Sequence, residues 1–360
     1  MPSFRPNRIF SAMLLLYVAW AGGCAIVGPS TIERGRLYYN EAVQVTSDQE
    51  LLLNIVRLRY RDNPAFLQVS NITTQYNLGG GGRASTSIVP SSAESFGLSG
   101  DISYFERPTI SYRPIVGEAY IKQMLEPIDE EKLTLLYNAG WPIDTLFSLT
   151  VQSINGVQNA PGISGPAPAL NPEFLRFQRV IHALGDLQRA GRLTVGRDDN
   201  QAQLRIEPGP AVAEQVDLIQ SSLSLDTENP TYNLAQAADS ENDNAIAIVP
   251  RSLVSAMFYL SQGVDIPPAD LEAGRAFTAE YSNGEKIDWQ TATRGLFRIH
   301  TARIAPSNAY TSVKYRGRWF YIDDSDLSSK TTFALVGQLF AIQAGNVRTS
   351  GPLLTLPVGG

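Results

Sequence analysis

The chain has 360 residues, 29 basic and 35 acidic side chains, a net charge of −6, and 43% hydrophobic residues. That apolar content supports folded cores and excludes global disorder. An acidic chain without a Lys/Arg block is not built to bind nucleic acid, and a single cysteine, Cys24, excludes an internal disulfide framework.

The N-terminal segment reads as an export signal. Arg5 and Arg8 precede an apolar run from Ile9 to Trp20, followed by the small residues Ala21, Gly22 and Gly23. Charged, apolar, then small is the order of a secretory signal peptide. Ala21-Gly22-Gly23-Cys24 resembles the lipobox of bacterial lipoproteins, with Ala21 where that family usually carries Leu. The resemblance covers residues 1–27 and concerns processing, not fold. It implies a signal peptide over 1–23, cleavage before Cys24 and acylation of its sulfur. Ala25, in place of an Asp, implies sorting to the outer membrane. The family's modification carries several acyl chains, which hold firmly where one chain holds only marginally. The competing reading keeps Ile9 to Gly28 as an uncut spanning helix.

Residues 24–46 are expected to form a tether that gradually becomes ordered. Ser47-Asp48-Gln49-Glu50 has capping-box spacing, and Leu51, Leu52, Ile55 and Leu58 follow at helical spacing up to Asn63-Pro64. Segment 66–113 alternates as β-structure. Ile72, Thr74, Tyr76 and Leu78 fall on one face, and Phe96, Leu98, Gly100, Ile102 and Tyr104 alternate with polar residues after a soft interruption that starts at Gly79–Gly82. Two origins fit this pattern: a soluble half-buried sheet, through which copies associate, or a membrane-inserted hairpin, since membrane strands need about 9–11 alternating residues. Three helices are expected over 117–159, the third spaced by Ile143, Phe147, Val151 and Ile154 and ending at Asn155-Gly156.

The Pro/Gly-rich segment 160–172 predicts a linker between an N-terminal α+β domain (47–159) and a C-terminal α+β domain (173–360). A helix bearing Phe174, Phe177, Ile181, Leu184 and Leu187, a hairpin with strands at 193–195 and 204–206, and a helix bearing Val212, Val216, Ile219 and Leu223 form a helix–hairpin–helix unit. The polar stretch 224–243 suggests a break between two subdomains. A strand at 245–249, a helix at 253–260 and irregular chain over 263–295 follow. A three-stranded meander (297–304, 310–315, 319–322) then leads into a last helix with Phe333, Val336, Leu339 and Phe340. The fold class is therefore α+β.

The chemistry is sparse. His182 and His300 are the two histidines and have no metal-ligand spacing around them. Asp323, Asp324 and Asp326 form the densest acidic cluster; they are weak calcium candidates, against which stands the capping of the helix that follows. Alternation places Trp319 and Tyr321 on one face of the last hairpin, where they are candidates for binding a glycan or other ligand. There is no GxSxG elbow and no P-loop, and no cofactor is implied. The leading expectation is a lipid-anchored outer-membrane lipoprotein facing the periplasm, a non-enzymatic structural or assembly component of an envelope complex with protein partners or further copies of itself. A ligand-binding lipoprotein using Trp319 is the alternative, and a hydrolase with dispersed carboxylates a third class.

Overall fold

The computed structural model describes residues 35–87, 95–160, 172–198, 201–236, 245–276, 290–344 and 354–357. Cys24, the signal segment and most of the expected linker lie outside these residues. The chain is α+β, and its N-terminal sheet is antiparallel.

Helix α1 spans 35–59, twelve residues earlier than the capping pattern at Ser47 implies. The tether expected over 24–46 is thus helical from residue 35. Thr46 does not break the helix, because its Oγ1 donates back to Ala42 O (2.8 Å) and Val43 O (3.0 Å) within the same turn. Leu52, Ile55 and Val56 of α1 are fully buried.

Strands β1 (Leu67–Ser87) and β2 (Ser95–Pro114) pair antiparallel in one long ladder, broken only by a bulge between Val69 and Asn71. The expected interruption at Gly79–Gly82 is absent: these glycines pair with residues Gly100 to Ser103, and the partner strand overrides their weak strand preference. Strand β12 (Leu354–Pro357) adds to β2 at Thr109–Tyr112.

A short helix α2 (Glu118–Tyr120) runs into a π-helical turn, Ile121–Leu125. Helix α3 (Glu130–Asn138) is capped by Asp129, whose Oδ1 accepts from Lys132 N at 2.9 Å. Helix α4 (Ile143–Thr150) ends sooner than expected, because Val151–Ile154 is strand β3 and turns back as β4 (Val157–Gln158). Asn155 and Gly156 both have positive φ (46° and 79°). Asn-Gly here is a hairpin turn and not a helix end.

Helix α5 (Pro172–Arg189), the hairpin β5 (Leu193–Asp198) and β6 (Gln201–Ile206), and helix α6 (Ala213–Leu223) form the expected helix–hairpin–helix unit. Strands β7 (Thr231–Gln236) and β8 (Ala245–Pro250) then pair parallel, and helix α7 (Leu253–Ser261) follows, capped by Ser252. The central sheet has the order β4-β3-β8-β7-β6-β5.

That order revises the domain plan. Strand β3, from before residue 160, pairs with β8, from beyond residue 224. One buried apolar cluster runs from Leu51 to Leu339. Neither 160–172 nor 224–243 divides the core, and β7 occupies part of the supposed break. Arg251 secures the junction. It is buried, and its guanidinium donates to the carbonyls of Ser148 (3.0 Å), Leu149 (3.2 Å) and Ala160 (2.8 Å).

The segment expected to be irregular carries two short helices, α8 (Pro268–Glu272) and α9 (Gln290–Thr293). The last sheet contains β9 (His300–Ala302), β10 (Ala309–Tyr315) and β11 (Arg318–Asp323), followed by helix α10 (Leu327–Ala344). The three strands stand where the sequence places them, but their order is β10-β11-β9. Strand β11 is central and β9 joins its far edge, so the connectivity is not a simple meander.

Candidate functional site

The β1–β2 hairpin is the feature the core does not explain. After the bulge its register is regular, from Asn71↔Ser111 to Ser87↔Ser95. Side chains alternate across a strand, and directly paired residues share a face. One face therefore carries the positions Ile72↔Ile110, Leu78↔Tyr104, Gly80↔Ile102, Ala84↔Leu98 and Thr86↔Phe96. The opposite face carries Thr73↔Thr109, Gln75↔Arg107, Asn77↔Phe105, Gly79↔Ser103, Gly81↔Asp101 and Arg83↔Ser99. At the root of β1, Ile72 and Thr74 are half-buried while Asn71, Thr73 and Gln75 are exposed; on β2, Thr109 is half-buried and Ser111 is buried.

Among the described residues, the outer edge of β1 has no strand partner, and β2 is covered only at Thr109–Tyr112 by β12. Pro108, the next residue outward on β2, has no N–H to offer a ladder at that place. An open edge of this length is a template for pairing with another strand.

A groove of about 520 Å³ lies at the hairpin's root between α1, β1 and α10. Val43, Leu51, Phe66, Val69, Phe333 and Phe340 give it apolar walls, and the rings of Phe66 and Phe340 stand 5.4 Å apart. Asp48 and Glu50 also line it. Burial pushes both carboxyls above the usual range, while a hydrogen bond with Tyr310 opposes the effect at Asp48 and the Leu67 amide opposes it at Glu50. Leu67 N donates to Glu50 Oε1 at 2.7 Å. Two residues apart on a helix, these carboxyls do not face each other, so the groove lacks the opposed pair that glycoside cleavage uses. Its sequence signal was the four-residue spacing of Val43, Ser47 and Leu51, masked by reading the helix as starting at Ser47.

Trp319 and Tyr321 share the outer face of β11 and are both half-buried. They pair with Ala302 and His300 of β9. The Tyr321 ring lies 5.4 Å from that of His300, and His300 Nδ1 lies 3.4 Å from Asp265 Oδ2. Neither Trp319 nor Tyr321 lines the root groove. On the other face Phe320 and Ile322 are fully buried, Phe320 edge-on to Tyr60. His182 is exposed on α5.

The calcium candidates do not converge. Asp323 accepts from Ser325 N (2.9 Å), Ser325 Oγ (2.6 Å) and Asn308 Nδ2 (2.6 Å). Asp324 pairs with Lys330 Nζ at 2.7 Å. Asp326 accepts from Ser329 N (3.0 Å) and Ser329 Oγ (2.6 Å), which makes it the N-cap of α10. Among the described residues, no group of three or more His, Cys, Asp or Glu side chains is placed to hold a metal.

No family model, curated protein or solved structure matches the chain. Among the described residues, no helix is long and apolar enough to cross a membrane.

Proposed function

We propose that this chain is a lipoprotein held at a bacterial outer membrane through lipid on Cys24, facing the periplasm, and that it acts as a non-enzymatic structural component of an envelope assembly. The observation that carries this reading is the β1–β2 hairpin, whose edges beyond Thr109 have no strand partner among the described residues and so can pair with another chain. The lipobox-like run ending at Cys24 supports the location, and the root groove offers a second apolar surface beside the same hairpin.

Two measurements test it. Protein extracted in mild detergent is expected to run as an oligomer or to carry a stable partner; a strictly monomeric species without a partner would overturn the structural role. Cys24→Ala is expected to release the protein from membranes or block its processing. An uncut, membrane-bound and fully functional Cys24→Ala protein would replace the lipid anchor with a spanning N-terminal helix.

A further inference from the structure

We propose that the outer half of the β1–β2 hairpin crosses the lipid bilayer, and that several copies of this chain close their hairpins into one β-barrel with a water-filled lumen. This inference rests on the membrane-anchored reading above and names the partner of the hairpin's edges: further copies of the same chain.

From Tyr76 to Thr86, and over the partner positions Glu106 to Phe96, the ladder runs without a bulge. At roughly 3.4 Å per residue this stretch measures about 34 Å. Tilted by about 45°, it spans roughly 24 Å, the height of the apolar band of a membrane barrel.

The hairpin's residues also divide between its two faces. Inside the rim marked by Glu106, the face holding Leu78, Ala84, Leu98 and Ile102 carries no charged residue, and Gly80, Gly82 and Gly100 fill its remaining central positions. Aromatic residues bracket this band. Tyr104 stands at its inner end and Phe96 at its outer end, matching the interfacial girdles of such barrels. The opposite face holds Asn77, Arg83, Ser85, Ser99, Asp101 and Ser103, with Phe105 as its one aromatic residue, at the inner rim beside Tyr104. Apolar toward lipid and polar toward a lumen is the division a barrel wall requires.

In hydrocarbon every backbone N–H and C=O must be paired, so a lone hairpin cannot stay there and only closed barrels avoid open edges. Among the described residues, β12 pairs with β2 outward only as far as Thr109. The outer part of β2 is left for the β1 strand of a neighbouring copy, and repetition of that contact around an axis closes a ring.

The test uses the full-length, lipidated protein in phosphatidylethanolamine–phosphatidylglycerol vesicles. With Cys24 acylated, a single new cysteine at each position from 98 to 103 is the sole labelling site for an environment-sensitive fluorophore. Positions 98, 100 and 102 are expected to be quenched by spin-labelled lipid, and 99, 101 and 103 by aqueous iodide. If the protein floats with the vesicles but all six positions respond alike to iodide, the crossing hairpin is overturned and the anchor stands. If the protein does not float with the vesicles, the anchored reading fails first. Ion conductance across planar bilayers provides the second readout. Ile102→Arg is expected to cause a roughly tenfold or greater loss, because charge on the lipid face opposes insertion. Ser103→Arg is expected to preserve conductance and shift its cation–anion selectivity. Equal effects of the two substitutions, or no conductance from the parent protein, would overturn the barrel.

Discussion

The Tyr60 hydroxyl donates to Asp270 Oδ2 at 2.7 Å, across 210 residues of sequence. Tyr60 directly follows helix α1, and its ring meets Tyr315 and Phe320 edge-on at 5.6 and 6.1 Å. The Arg316 guanidinium lies over the same ring at 5.1 Å. Asp270 also accepts from Arg275 at 2.6 Å. One side chain thus ties the helix that leads into the hairpin to both α8 and the last sheet. Tyr60→Phe keeps the ring contacts and removes one donor from a buried carboxylate. A loss of about 1–3 kcal/mol is expected in urea unfolding, and an unchanged midpoint would show that the bond contributes nothing.

Acid should weaken the same region. The Tyr60 hydroxyl, aided by Arg275 and opposed by burial, holds the Asp270 carboxyl below the usual range. Tyr315 and then Arg316 do the same for Asp62. A carboxylate with a depressed folded value adds stability that is complete above about pH 3.9, the value for a free Asp, and is lost as pH falls through the folded value. Thermal midpoints should therefore fall more steeply below pH 4 in the parent than in a D62N/D270N double variant. Parallel curves would exclude these two groups as the acid-sensitive ones.

The root groove should respond in the opposite sense. Burial raises Asp48 above its free value, so its ionised form costs stability at neutral pH, and that cost disappears as pH falls through the raised value. Asp48→Asn retains a partner for Tyr310 and removes the charge. It should raise the melting temperature at pH 7, with the advantage shrinking toward pH 4. A lower melting temperature at pH 7 would mean that the charge is needed.

Arg251 answers three carbonyls from two segments while its guanidinium carbon stands 4.4 Å from the centre of the Tyr259 ring. Burial lowers its pKa to about 10. Arg251→Met fills similar space and leaves those acceptors without this donor. A loss of about 3 kcal/mol or more is expected in denaturant unfolding. Arg251→Lys should recover only part of it, because an ammonium cannot reproduce the planar fork. Full recovery by Lys would reduce the role of Arg251 to charge alone.

Periodic features were readable from the sequence. The stripe Phe174, Phe177, Ile181, Leu184 and Leu187 gave α5, and alternation separated Trp319 and Tyr321 from Phe320 and Ile322. Alternation also assigned the faces of the hairpin on either side of its glycines. Its full length was hidden because Gly79–Gly82 has no local reason to be strand and becomes strand through its partners at 100–103. Tyr60 and Arg251 left no pattern at all: each is a single polar residue whose side-chain hydrogen-bond partners lie 91 to 210 residues away. The domain boundary misled for a similar reason, since a proline-rich segment reports local backbone preference and says nothing about which strands pair around it.

The pairing of β3 with β8 also sets a timetable. Ile154 aligns with Ile248, so a chain delivered from its N-terminus presents β3 and β4 long before their neighbour exists. The β5–β6 hairpin is complete early, yet it reaches β3 only through β7 and β8. Closing such distant contacts is slow because the intervening chain must be ordered first. The central sheet therefore remains in two halves until residues 245–250 arrive, so the wiring of the strands ties its completion to the segment that comes last.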